Sequence, residues 1–160
     1  MSEPSTVLAI ADAVAAEMNG AAPGTFSQAF TAIRKTRPRF TLEQLKAVQV
    51  VAVPKATASQ RTARNVATGD YSVDIAVMQH VPPAADGEVD ESKTDLIVAL
   101  AEEIERFFEL RHMDKYPDAL WVGTAWNPSG APYVVQMLDD KSVMAAILTV
   151  TFRLMRQKQE

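Results

Sequence analysis

The segment from Val143 to Arg156 alternates in character along its whole length, and this pattern constrains the fold more than any other. A period of two places alternate side chains on opposite faces of a strand. At a rise of about 3.3 Å per residue, such a strand crosses a whole small domain. One face is apolar and consists of Met144, Ala146, Leu148, Val150, Phe152 and Leu154; the other consists of Ala145, Ile147, Thr149, Thr151 and Arg153.

Residues 5–18 predict a first helix, because their apolar residues recur at helical spacing. Ser2 or Ser5 can cap its start, and Asn19-Gly20 suits its end. The apolar stripe fits a face that packs on a sheet better than a helix that binds a partner.

A second and clearer helix is predicted from Ser92 to about Arg111, where Ser92-x-x-Asp95 resembles a capping box with aspartate in place of glutamate. Its glutamates could suggest a metal site or an acid–base pair. A solvated helix face is the better interpretation, because no histidine lies among them at ligand spacing.

Four shorter segments predict strands. Proline ends two of them, because it removes a ladder donor. The four are 29–40, ended by Pro38; 48–54, ended by Pro54; 71–80; and a short strand from 120 that enters a turn at 127–130. Between the second and third lies the polar segment 55–70, which we predict to be a flexible loop. Residues 41–48 suggest a short turn or helical element.

Together these elements predict a single α+β domain that covers residues 1–160. The expected order is α-β-β-β-α-β-β, with a mostly antiparallel sheet and both main helices on one of its faces. Three successive strands favour antiparallel hairpins. We expect frayed ends at about residues 1–4 and 157–160. The order of the strands in the sheet stays open.

Composition excludes several classes of protein. The chain has 160 residues, no cysteine and a net charge of −4. Disulfides, thiolate metal sites and a cysteine nucleophile are therefore excluded, and the acidic balance argues against a dedicated nucleic-acid binder. We also expect neither a signal peptide nor a membrane span, since no basic leader or long apolar run is present.

A search for catalytic motifs gives no strong candidate. Asp74 and His80 share a strand face, but six residues of extended chain, roughly 20 Å, separate them. His112 has no ligand partner at a suitable spacing. The six glycines are dispersed and form no phosphate loop. Trp121 and Trp126 are typical of core or interface aromatics, so we predict no enzyme activity, no cofactor and no metal.

Basic residues do cluster, in two segments. Arg34, Lys35, Arg37 and Arg39 form one cluster, and Lys55, Arg61 and Arg64 form the other. They could contact DNA phosphates or an acidic protein surface, or they could be solvated loop charges. Arginine is the commoner choice at interfaces.

The order of these segments resembles the tail terminator proteins of long-tailed bacteriophages. The resemblance is carried by "PRFTLEQLKAVQVVAVP", by "RTARNVATGDYSVDIAV" and by the closing "VMAAILTVTFR". It also includes "DLIVALAEEIERFF" and "WVGTAWNP", and it spans roughly residues 5–156. It lies in the order and spacing of the elements, since no single piece is diagnostic.

The resemblance implies a structural virion protein that forms a homo-hexameric ring. Such a ring caps the tail tube, stops its polymerisation and joins the tail to the head connector. The implied partners are further copies of the chain, the major tail tube protein and the connector or stopper protein, with the tape-measure protein and DNA in the channel. The implied location is the neck of the virion, after assembly in the host cytoplasm.

Under this resemblance, the basic residues are candidates for the contact with a neighbouring subunit or the tube. They are Lys55, Arg61, Arg64, Arg37 and Arg39. We expect segment 55–70 to order on assembly. The long final strand is a second candidate, as an edge that pairs across subunits.

Three alternatives stay open. A head–tail stopper or connector has a similar size and also forms rings. A small ligand-binding or catalytic α+β domain would need a pocket with convergent polar groups. A nucleic-acid-binding accessory protein would need a basic face. The sequence does not distinguish a contractile from a flexible tail, and it does not identify the channel-lining residues or show whether the ring forms without the tube.

Overall fold

A five-stranded sheet with two helices on one face makes up the computed structural model, which describes residues 5–127, 130–134, 137–138, 141–157. Within these residues the elements are α1 (Thr6–Asn19), β1 (Ala32–Arg34), a 3₁₀ turn (Gln44–Lys46), β2 (Gln49–Ala63), β3 (Val66–His80), α2 (Glu91–Phe108), β4 (Leu120–Asn127) and β5 (Val143–Gln157). The predicted α+β fold and its element order are confirmed.

The strands lie in the order β1-β2-β3-β5-β4, and all neighbouring pairs but one are antiparallel. The exception is β1, which runs parallel to β2, with Ala32 opposite Val50 and Arg34 opposite Ala52. The expectation of successive antiparallel hairpins is therefore wrong for the first pair. The predicted strand 29–40 shrinks to the three residues of β1, which ends well before Pro38.

The strand β5 is confirmed, and it is an interior strand. It pairs with β3 over its whole length, from His80 opposite Val143 to Val66 opposite Gln157. On its other side, residues 147–153 pair with β4. The idea that this strand offers a free edge to another subunit is therefore wrong over those residues. Gln157, predicted to be frayed, is the last residue of β5; residues 1–4 and 158–160 lie outside the described part.

Both helices begin and end for identifiable reasons. The Ser5 hydroxyl accepts a hydrogen bond from the Leu8 amide at 3.5 Å, and α1 ends at Gly20, as predicted. The helix α2 spans Glu91–Phe108, so it begins one residue earlier and ends about three residues earlier than predicted; Asp90 occupies its N-cap position without a side-chain cap hydrogen bond. The Ser92 hydroxyl donates to the Asp90 carboxylate at 2.7 Å instead of capping the helix. This bond lowers the pKa of Asp90.

The main core lies between the sheet and the helices. The alternating apolar residues of β3 and β5 face Ile10, Val14 and Met18 of α1 and Leu100 and Phe108 of α2, and all of these side chains are buried. Burying residues of this size contributes roughly 1.5–3 kcal/mol each. The other face of the sheet has a smaller apolar cluster, which consists of Leu45, Val51, Ala76, Met78, Val143 and Ala145.

The segment 55–70, predicted to be a flexible loop, forms paired β structure. Ala56 to Arg61 pair with Ala67 to Ser72, and β2 continues past Pro54. The carbonyl of Ala52 accepts from the Lys35 amide on the outer side of β2. Backbone groups two residues apart along a strand point to the same side, so the backbone nitrogen of Pro54 also points away from β3. Its missing N–H therefore costs no hydrogen bond to β3.

One carboxylate, Glu17 of α1, is buried in the fold, with 5% of its surface exposed. Arg111 donates to its Oε2 from Nε at 3.1 Å and from a terminal nitrogen at 3.0 Å. The Lys115 amide donates to Oε1 at 3.3 Å. This ion pair joins α1 to the connection that follows α2.

Replacing Glu17 with alanine is expected to destabilise the protein by about 1–3 kcal/mol, because the hydrogen bonds from Arg111 and the Lys115 amide are lost, while Arg111, 31% exposed, stays accessible to water. Urea unfolding followed by circular dichroism measures this change. Glu109→Ala, at an exposed position after α2, serves as the control and should change stability by no more than about 0.5 kcal/mol. Equal effects of the two variants would contradict a structural role for the Glu17 pair.

Candidate assembly interface

The most exposed part of the sheet is an arm made of residues 55–70 and 153–157. Its central strand is the first part of β3, with β2 on one side and the end of β5 on the other. Ala67, for example, lies opposite Arg61 on β2 and opposite Arg156 on β5. All residues of β2 from Lys55 onward are exposed. Both faces of the sheet are therefore accessible to other molecules along the outer half of β2.

A tight turn at Arg64-Asn65 closes the β2–β3 hairpin. Asn65 has a φ of 64°, in the left-handed region that asparagine tolerates better than most residues. Gly69 and Asp70, the last residues of the segment predicted to be a flexible loop, lie inside β3. A register shift between Arg61 and Ala63 places a bulge next to the turn.

On the helix side of the arm, Tyr71 lies over Gly69. A methyl group built at Gly69 would approach the Tyr71 ring to 2.9 Å, so glycine is needed for this packing. The Arg156 guanidinium lies 5.8 Å from the centre of the same ring and also donates to the hydroxyl of Thr6. These contacts join Tyr71 and the β5 strand of the arm to the start of α1.

On the face of the sheet opposite the helices, at the base of the arm, polar residues form a hydrogen-bonded network. Thr149 donates to Asp74 at 2.6 Å and accepts from Lys55 at 3.3 Å and from Asn127. The Lys55 amine also lies 3.6 Å from the Asp74 carboxylate. This network starts where the smaller apolar cluster of the same sheet face ends.

Nearer the tip of this face, Arg153 and Asp70 form a two-point ion pair. Arg153 donates from Nε at 2.8 Å and from a terminal nitrogen at 3.1 Å. The hydrogen bond from Arg153, supported by its charge, lowers the pKa of Asp70. The same pair raises the pKa of Arg153.

The five residues predicted for an interface lie in two places. Lys55, Arg61 and Arg64 belong to the arm, with Lys55 at its base and Arg64 in the turn. Arg37 and Arg39 follow β1 at the opposite end of β2, where Arg39 lines a groove beside Phe40 and Leu42. Nine extended residues, about 30 Å, separate Ala52 from Arg61. The structure therefore places three of the five on the arm, where Arg61 and Arg64 lie near the turn and Lys55 lies at the base.

Two further arginines belong to the arm and were missed as candidates. Arg153 and Arg156 come from β5, far from 55–70 in sequence. Their position at the polar end of the alternating segment 143–156 could have indicated them as candidates. Only the pairing of β5 with β3 shows that they adjoin Asp70 and Ala67.

The other residues considered for chemistry lie apart. His80 is the last residue of β3, opposite Val143, and His112 forms an isolated bridge with Leu120. Trp121 and Trp126 pack partly buried against the main core, as expected, and Trp126 donates to Glu105. Among the described residues, no three His, Cys, Asp or Glu side chains cluster as metal ligands. Within the same part of the chain, no helix is long and apolar enough to cross a membrane.

Comparisons with known proteins identify no relative. No family model matches the chain, and a search of curated proteins also finds no match. The arm and its charges are therefore the basis on which a function can be proposed.

Substituting Gly69 with alanine is expected to displace Tyr71 and to destabilise the protein by about 1–3 kcal/mol through overpacking. The matched control is Gly123→Ala in β4, where an added methyl group meets nothing within 4 Å. Thermal unfolding of both variants measures the difference. A Gly69→Ala variant as stable as Gly123→Ala would show that Tyr71 does not depend on this contact.

The Asp70–Arg153 pair should make the stability of the arm depend on pH. A lowered pKa means that Asp70 stabilises the fold above its ordinary value of 3.8 and loses this effect as pH falls through its folded value. Asp70→Asn should therefore reduce stability slightly at pH 7, and this effect should disappear as the pH falls through the lowered folded pKa of Asp70. Urea unfolding at a series of pH values from 7 downward tests this. In an Arg153→Gln background the pH dependence of the substitution should disappear; its persistence there would assign it to another partner.

Proposed function

We propose that this protein is a structural virion protein of a long-tailed bacteriophage, the terminator that caps the tail tube. In this role six copies form a ring on the last ring of the tube, stop its polymerisation and join the tail to the head connector. The proposal includes no catalytic reaction and no cofactor.

The observation that carries the proposal is the arm. A single small α+β domain extends a three-stranded, solvent-exposed arm whose charged residues are five basic side chains and one acidic one, Asp70. The whole chain has a net charge of −4, so the arm differs in sign from the rest of the molecule. A basic arm on an acidic body is suited to contact with other protein subunits.

The order of segments along the chain also supports the proposal. The strands and helices named in the resemblance to tail terminators form one continuous domain. The proposed partners are further copies of the chain, the major tail tube protein and the head–tail connector, with the tape-measure protein and DNA in the channel. The proposed location is the neck of the virion, after assembly in the host cytoplasm.

The mass of the purified protein in solution tests the ring. Light scattering after size exclusion should give six times the 17.5 kDa of one chain, at least at high concentration. Adding purified tail tubes should then give capped tubes that no longer elongate with added tube protein. Binding to the head connector without binding to tubes would favour the alternative of a stopper or connector. Binding to neither would remove the proposal.

The double variant Arg61→Ala, Arg64→Ala tests the arm. We expect it to weaken ring formation or tube docking at least tenfold, while circular dichroism and thermal stability stay close to those of the native protein. The control is Arg37→Ala, Arg39→Ala, at the other end of β2. Unchanged assembly of the arm variant would exclude Arg61 and Arg64 from the interface.

A further inference from the structure

The sheet has an open edge along β2. The short strand β1 covers β2 only at residues 50–52, and among the described residues no strand lies outside Val53 to Ala63. Bulges after Pro54 and after Arg61 leave an uninterrupted extended run from Ala56 to Arg61. Its side chains are mostly small and polar. Open strand edges of this kind tend to pair with another chain unless they are blocked.

The opposite side of the sheet has a second open edge, along β4. His112 covers only its first residue, Leu120, and no strand of the described part lies beyond Trp121 to Ala125. Two apolar residues of β4 are exposed here, Leu120 at 56% and Val122 at 41%. Apolar residues on an unpaired edge favour association.

The two edges are compatible in direction. Because the pairs β2–β3, β3–β5 and β5–β4 are all antiparallel, β2 and β4 run in opposite directions. A second copy placed beside the first in the same orientation would therefore join β2 to β4 as an antiparallel pair. The helices of both copies would lie on the same side of the continued sheet.

The registers of the sheet also set which residues would meet. Ala56 lies level with Gly123, since both are linked through Ser72 and Thr151. Ala58 lies level with Leu120 through Asp70 and Arg153. Arg61 is three residues past the position level with Leu120, the first residue of β4, on the side where the chain turns and where Asp118 is exposed.

Charge favours this head-to-tail pairing over a two-fold one. Pairing β2 with β2 would bring Lys55 and Arg61 of the two copies close together, and like charges across a strand pair are destabilising. In contrast, the side of the sheet that carries β4 is acidic. It includes α2, which has five acidic and two basic side chains and is joined to β4 by the Trp126–Glu105 hydrogen bond. It also includes Asp114 and Asp118.

We propose that the edge of β2 at Ala56 and Thr57 in one copy pairs with the edge of β4 at Trp121–Gly123 in a second copy, and that Arg61, past the end of β4, lies beside Asp118 of that copy. This inference rests on the proposed ring and names its subunit interface. The contact is heterologous, so repeated copies form a closed ring when the rotation between them closes.

Engineered cysteines test the register directly, because the native chain has none. The double variant Ala56→Cys, Gly123→Cys should form disulfide-linked oligomers up to the hexamer under mild oxidation. Both positions are suitable, since Ala56 is exposed and a side chain at Gly123 meets open space. Each single variant should stay uncrosslinked, but a mixture of the two should give covalent dimers. Dimers of Ala56→Cys alone would show two-fold β2 pairing and overturn the inference.

A charge exchange gives an independent measurement. Arg61→Glu should weaken self-association at least tenfold by light scattering, and Arg61→Glu with Asp118→Arg should restore it. The control is Glu88→Arg in the loop before α2, which should leave association unchanged. Failure of the exchange to restore association, in variants with native circular dichroism, would overturn the Arg61–Asp118 contact.

The interface and the proposed function can fail separately. A protein that caps tail tubes but gives no cross-link retains the function and loses this interface. A protein that cross-links as predicted but never caps tubes retains the interface and loses the function. A native chain that neither self-associates at its solubility limit nor cross-links overturns the interface.

Discussion

The pairing of β3 with β5 is the interaction on which the rest of the structure depends. It runs without a register break from His80–Val143 to Val66–Gln157 and joins two of the three 15-residue strands along their whole length. Both helices pack on its apolar face, and Thr149 and Asp70 make their contacts on its polar face. A shift of one residue would exchange these two faces, so the buried side fixes the register of the exposed side as well.

Hydrophobic periodicity made β5, α1 and most of α2 predictable, because each buries one face and exposes another. It failed for the arm. The outer half of β2 is exposed on both faces, so its side chains carry no alternating apolar signal, and the pairing with β3 decides its conformation. Gly69 belongs to the segment predicted to be a loop, but it lies in β3, where its small size makes room for the Tyr71 ring. Pro54 suggested the end of a strand, but β2 continues past it, because its missing N–H lies on the side of β2 that faces away from β3.

The candidate interface was predictable only in part, and for the same reason. Lys55, Arg61 and Arg64 could be chosen because they are close in sequence. Arg153 and Arg156 join them through a pairing between distant segments, which residue spacing does not show. Arg37 and Arg39 had the same composition as the arm residues but lie at the other end of β2. Composition located the basic residues, and the sheet registers determined which of them share a surface.

The late position of β5 in the sequence has a consequence for the order of folding. The central strand of the arm, β3, lies between β2, its near neighbour in sequence, and β5, which begins more than sixty residues after β3 ends. The hairpin can form early, but it has no second neighbour until residue 157 has been synthesised. Pairing over such a separation is slow, because the loop must close before any contact forms. Until then the outer edge of β3 is unpaired, and an unpaired strand edge in an unfinished chain is a site of incorrect association.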